Sequence, residues 1–268
     1  MRVLVCAAVL LVSAAEAALA GPPTDLVRAT VRISNPQSTA TGFVLTRPAA
    51  PGKSSENPPD RFVLVTAAHV FERAEGHEVR IDFRQATVDG GFTVRSQPLR
   101  IRKDDQTLWT KHPQHDVAVI AIDVPTEADV ARVPLDWLAT TDDVKAVEPG
   151  DLLRCVCYPH AAVFEPNAAA FPTIRQGCVA SYPLLPLDKH PTFLADYNTF
   201  EGDSGGLLFW RPAGEDKGSA KIVGLIHGQH WYNQRYDFPY ESGEIRKQLG
   251  LAIVIQAPVI RDTIDRCP

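Results

Sequence analysis

The chain lacks a basic surplus. Its 27 Lys and Arg face 32 Asp and Glu, a net charge of −5. That balance argues against the charge pattern of a nucleic-acid binder. It also lacks any apolar run after its N-terminus long enough to cross a membrane. Compositional bias is absent too, with 45% apolar and 22% charged residues, so disorder is not its main state. Methionine occurs once, as Met1, and cysteine five times, an odd number.

The odd cysteine is explained at the N-terminus. Arg2 supplies a positive start, Val3 to Val12 form a short apolar stretch, and Ala18-Leu19-Ala20 precedes Gly21. This pattern reads as a secretory signal peptide over 1–20, with Ala17 as an alternative cut, and predicts a secreted or periplasmic protein. Removal takes Cys6 and leaves Cys155, Cys157, Cys178 and Cys267 for an oxidising compartment. Four cysteines allow three connectivities; Cys155 and Cys157 share one strand face and cannot easily bond each other, so Cys178 could cross-link to either one, and Cys267 could reach the remaining thiol if the terminal helix packs nearby.

Turn-forming residues are plentiful, with 17 Gly and 22 Pro. Between them lie short strands. Val27, Ala29, Val31 and Ile33 alternate with polar residues, and Val117 to Ile122 is an unbroken apolar run. Six strands are expected on each side of a Pro-, Asp- and Thr-rich connection. The predicted fold is all-β: two six-stranded antiparallel β-barrels and a short C-terminal helix. The boundaries are barrel 1 at about 25–124, a solvated linker at about 125–150, barrel 2 at about 151–257 and the helix at 258–266. Only that tail shows helical periodicity. The His230-Trp231-Tyr232 cluster reads as wall or core, and His112 and His115 as a solvated loop pair.

Three segments carry chemistry together. Val65-Thr66-Ala67-Ala68-His69 ends a strand at a histidine; His115-Asp116 opens the apolar run; Glu201-Gly202-Asp203-Ser204-Gly205-Gly206 sets a serine among glycines. A serine hydroxyl needs a base, a histidine serves near neutral pH, and a buried carboxylate fixes the histidine tautomer. Glycines allow backbone N–H groups to converge on an oxyanion. The reading is a hydrolase with His69, Asp116 and Ser204 as catalytic residues. No metal-ligand spacing is present, and no cofactor is required.

These segments resemble the chymotrypsin/trypsin-like serine proteases, which implies a protein or peptide substrate cut through an acyl-enzyme. The resemblance implies His69 as general base, Asp116 as its orienter, Ser204 as nucleophile, and the N–H groups of Gly202 and Ser204 as the oxyanion hole. Lys221-Ile222-Val223-Gly224 and Leu249-Gly250-Leu251-Ala252-Ile253 are similar to the bacterial branch, the high-temperature-requirement proteases and glutamyl endopeptidases. Those enzymes usually place Asn before the serine, where this chain has Asp203. Digestive relatives pair that aspartate with a newly cut N-terminus; here local donors are expected instead. The resemblance also places Asn198, Thr199, His227, Gly228 and Gln229 around the substrate. Neutral Asn198 argues against Lys or Arg specificity. His227 and Thr199 could read an acidic side chain; otherwise His227 is hydrogen-bonded near the triad and the preference is small or apolar. Two other readings share these residues: a catalytically silent binding module, and an acyl hydrolase or esterase.

Overall fold

The computed structural model describes residues 21–48, 61–104, 106–160, 171–212 and 220–268. The expected signal peptide lies outside the described residues. The chain is mostly β, built as two packed sheets with a short C-terminal helix.

It begins with helix α1 (Pro22–Ala29), not with a strand at Val27. Two prolines preset φ in its first turn. Leu26 and Ala29, one turn apart, are buried. Val27 to Ile33 fits both the helical and the strand period, and the strand β1 is confined to Thr30–Ser34. Arg84, fully buried, donates to the carbonyls of Thr30 at 3.0 Å and Arg28 at 2.7 Å. It thereby satisfies oxygens that the helix end leaves unpaired.

The first half continues with β2 (Thr39–Arg47), β3 (Arg61–Thr66), α2 (Ala68–Glu72), β4 (Glu78–Ala86) and β5 (Phe92–Arg100). Short pieces follow, β6 (Arg102–Lys103), β7 (Gln106–Thr107) and β8 (Thr110–Lys111), and then β9 (Ala118–Ile122). Seven of these strands form one antiparallel sheet ordered β5-β4-β1-β2-β3-β9-β8, with β6 and β7 paired separately. Its hydrogen-bonded ladder is open, whereas that of the second half closes.

The linker is less solvated than expected. Helix α3 (Thr141–Lys145) starts with a capping box between Thr140 and Asp143. Val133, Leu135, Leu138 and Val144 are buried in the main core.

The second half comprises β10 (Leu152–Cys157), β11 (Thr173–Val179), β12 (Thr192–Asp196), β13 (Leu207–Trp210), β14 (Lys221–Phe238) and β15 (Glu241–Gln256). They close as β10-β11-β12-β15-β14-β13. The tail is helix α4 (Ala257–Asp265), with Pro258 in its first turn. One core cluster joins both halves, from Phe43, Leu45 and Val63 to Leu207, Phe209, Ile222 and Ile260. Separating the two halves would expose this shared apolar surface, at about 25 cal/mol per Å². The junction is therefore a firm platform for side chains from both sheets.

Two expectations about this half are corrected. All four described cysteines are free. Cys178 pairs across from Leu152 and Cys155 across from Arg175, an odd offset. Because side chains alternate along a strand, Cys178 faces away from Cys155 and Cys157. Second, β14 and β15 run well past the barrel as a two-stranded arm, paired from Trp231 with Gln248 out to Phe238 with Glu241. Trp231 and Tyr232 stand exposed on that arm rather than in the core.

Candidate active site

The site grows from two neighbouring strand ends. In the β3–β9 ladder Thr66 faces Ala118. His69 lies three residues beyond Thr66 in the single turn of α2, and Asp116 lies two before Ala118. Pairing of the strands therefore brings the two together. Asp116 Oδ1 accepts the His69 backbone N–H at 2.8 Å, and Oδ2 meets His69 Nδ1 at 2.6 Å. The Asp116 carbonyl also accepts from Ala68 N–H at 3.2 Å.

A second imidazole shares this carboxylate. His227 Nδ1 lies 3.0 Å from Asp116 Oδ2. An ionised carboxylate only accepts, so both rings carry a proton on Nδ1. That leaves Nε2 of His69 as its basic atom. Burial alone would raise the Asp116 pKa. The hydrogen bonds from His227 and His69 outweigh it and hold the carboxyl well below the usual carboxylate range. A single hydrogen bond to a charged group is worth about 1.5–3 kcal/mol. His227→Ala should therefore lower kcat/KM about ten- to a hundredfold with the fold intact; unchanged kinetics would leave His227 without a positioning role.

Ser204 lies across the junction. Its flanking residues Gly202, Asp203, Gly205 and Gly206 are buried, while Ser204 itself is only half-buried. The loop is clasped from the first sheet. Thr41 N–H donates to the Ser204 carbonyl at 2.9 Å, and Thr41 Oγ1 donates to the Gly202 carbonyl at 2.7 Å. Gly205 N–H donates to the Ile226 carbonyl at 2.8 Å, next to His227. His69, Asp116, His227 and Ser204 are thus tied to one junction. Among the described contacts the Ser204 hydroxyl and the His69 ring share no hydrogen bond. Such bonds often tighten only once substrate is seated.

The glycines have a geometric cause. Gly202 has φ +97° and Gly205 φ +84°. A Cβ would fall 2.0 Å from the Tyr158 carbonyl oxygen at Gly202, and 2.1 Å from the Thr41 carbonyl oxygen at Gly205. No side chain fits either place. Within the loop, the N–H groups of Asp203, Gly205 and Gly206 donate to Phe200, Ile226 and Asp203 carbonyls. Among the described residues, the N–H groups of Glu201, Gly202 and Ser204 have no acceptor, and of these Gly202 and Ser204 flank Asp203 at the nucleophile. Open donors at Gly202 and at the half-exposed Ser204 itself, with one residue between them, can hold a developing oxyanion.

Asp203 has local donors. It is 1% exposed, and its Oδ2 meets Arg175 Nη2 and accepts Phe200 N–H at 2.8 Å. Arg175 also donates to the Asn198 carbonyl at 2.7 Å and to Cys157 Sγ at 3.1 Å. The sequence reading missed Arg175 and Thr41. Neither lies in a recognisable motif; both act through backbone and loop contacts.

Of the expected pocket residues, Thr199 is buried and its hydroxyl bonds Gln229 Oε1. Asn198 is exposed and engaged through its carbonyl rather than its side chain. Space around Gly228 is open. Asp196 is exposed at the end of β12.

His112 is buried, not solvated. Its Nδ1 accepts N–H from Gln114 and His115, each at 3.1 Å, and its Nε2 lies 3.2 Å from Asp262. The ring is held neutral. Burial first, and neighbouring charge second, depress both His112 and His115. The unfolded chain therefore protonates them first, as pH falls through about 6.5. Stability should be full above that pH and decline below it. Asp116, whose folded pKa is also depressed, adds a second loss below about 4. Urea unfolding at pH 8, 6 and 5 should show midpoints falling with pH. His112→Gln should flatten that slope, and midpoints that rise on acidification would contradict the assignment.

Residues 40–215, more than half of the chain, match a trypsin-like peptidase domain. The chain belongs to the trypsin-like peptidase family. It is a peptidase hydrolase by family, and the matched stretch includes His69, Asp116 and Ser204. No curated protein matches the sequence. Among solved structures, this peptidase is similar to an inactive form of a serine-to-alanine mutant of Rv3671c from M. tuberculosis H37Rv. The identity is 17%, over 94% of this chain and 92% of that one, with a TM-score of 0.48. A second structure, the Rv3671c protease in its inactive form, gives 17% identity, 90% coverage of each chain and a TM-score of 0.47.

Proposed function

We propose that this peptidase is a secreted or periplasmic serine endopeptidase. His69 Nε2 takes the proton of Ser204, and Oγ attacks the peptide carbonyl. The oxyanion is held by the N–H groups of Gly202 and Ser204. The protonated His69 gives its proton to the leaving amine, and water then hydrolyses the acyl-enzyme. Asp116 stays ionised throughout and steadies the imidazolium.

One observation carries this reading. In the glycine loop, the N–H groups of Asp203, Gly205 and Gly206 are bonded within the protein while those of Gly202 and Ser204, on either side of Asp203, are open, at the junction that also holds the His69–Asp116 pair. Each such donor is worth about 2.7–4 kcal/mol of transition-state stabilisation. The preference at the cut is for a small or apolar side chain. The polar groups that could read an acidic one are engaged, Thr199 with Gln229 and His227 Nδ1 with Asp116.

A fluorophosphonate probe tests the nucleophile. The expected result is one adduct, on the peptide containing Ser204, lost in Ser204→Ala. A folded protein that never labels would support a binding module on the same fold instead.

A further inference from the structure

We propose that the β14–β15 arm is an extension of the substrate site, along which a polypeptide segment N-terminal to the cut adds as a third strand. The proposal rests on the endopeptidase reading and adds to it a substrate class: unfolded or extended chain, long on the N-terminal side of the cut.

The edge of β14 supports this. On one side β14 pairs with β13 only as far as Leu225, and Ile226 then bonds the loop at Gly205 and Gly206. From His227 to Phe238, among the described residues, β14 pairs with β15 alone. The open edge therefore begins one residue past the contact with the nucleophile loop. It runs for about 36 Å at 3.3 Å per residue. A chain lying antiparallel to β14, its scissile bond at Ser204, would send its upstream residues outward along this edge.

The two faces of the arm differ. Trp231, Asn233, Arg235 and Asp237 share one face with Gln248, Arg246, Glu244 and Ser242. That face closes on itself: Arg235 pairs with Glu244 at 2.9 Å, and Arg246 lies over the Trp231 ring at 4.7 Å. The other face carries Tyr232, Tyr236, Phe238 and Ile245. Tyr232, Ile245 and Phe238 there are 43%, 49% and 64% exposed. A two-stranded ribbon is marginal in water, and a third strand with an apolar face completes it. The occupant that fits is an extended segment with apolar side chains at alternate positions, which would lie beside Tyr232, Tyr236 and Phe238. The arm itself balances charge, Arg235, Arg246 and Lys247 against Asp237, Glu241 and Glu244. Binding should therefore depend little on salt.

The test uses Ser204→Ala protein, so that no cutting is needed. The probe is fluorescein-labelled, reduced and carboxymethylated lactalbumin, an unfolded chain, followed by anisotropy. Two changes are made in that background: residues 231–248 replaced by Asn-Gly, and Tyr232→Ser with Phe238→Ser at exposed positions. Each should weaken binding at least tenfold, at 50 and 300 mM salt alike. Unchanged affinity in both would overturn the proposal. So would an arm-dependent dimer in sedimentation whose loss leaves probe binding unaltered. Failure of the Ser204 enzyme to hydrolyse any peptide would count against the endopeptidase reading alone, since probe binding is measured without turnover.

Discussion

Replacing Asp116 by asparagine should lower kcat by about four orders of magnitude, with little change in fold. The reason is atomic. Asp116 Oδ1 accepts the His69 backbone N–H, while Oδ2 faces the Nδ1 atoms of both His69 and His227. Asparagine keeps one acceptor and offers an NH2 group to the rest. If its oxygen stays on the backbone N–H, the amide faces two rings and turns their tautomers, leaving His69 Nε2 protonated and useless as a base. If it flips, the backbone N–H loses its partner. Circular dichroism should show the native spectrum and labelling of Ser204 should nearly vanish. Asparagine with more than a tenth of wild-type kcat would show that this carboxylate does not orient the base.

Arg175→Met is expected to cost at least a hundredfold in kcat/KM. Arg175 and Asp203 form an ion pair in which the aspartate is almost wholly inaccessible. Removing one partner leaves an uncompensated buried charge, a loss of about 3–5 kcal/mol. Asp203 lies between the two N–H groups assigned to the oxyanion, so its relaxation moves them. Arg175 also holds the Asn198 carbonyl, which links the loop to the pocket wall. Lysine cannot span those partners and should rescue little. The double variant Arg175→Met, Asp203→Asn removes both charges and should recover stability in urea. Full activity of Arg175→Met would show that Gly202 and Ser204 are positioned without the pair.

The contrast between these residues shows what a sequence reveals. The segments that hold His69, Asp116 and Ser204 stand out because each is a local pattern: a strand end, the start of an apolar run, a loop dense in glycine. The clash at Gly202 and Gly205 is the physical source of that density. Arg175 was hidden because its strand inverts the usual rule. In β11, Ile174 is 46% exposed, while Arg175 turns toward Asp203 and Cys157. An alternation count reads such a strand the wrong way round. The expected disulfides failed on the same kind of detail, the odd offset between Cys178 and Cys155. Helix α1 was missed where two periods overlap. The arm was missed because its aromatic and charged residues suggested a packed wall, and only pairing with β15 reveals a ribbon standing clear of the barrel.

His227 bridges these cases. It was visible as a residue near the substrate, yet its contact with Asp116 depends on the close approach of β14 to the first sheet, which no local pattern encodes.

The most direct test of the whole account is cleavage profiling on a proteome-derived peptide mixture, comparing the wild-type chain with Ser204→Ala. The account predicts internal cuts by the wild type alone, favouring small or apolar residues before the cut and long upstream segments. Cuts that persist in Ser204→Ala, or none from a folded wild-type protein, would contradict it.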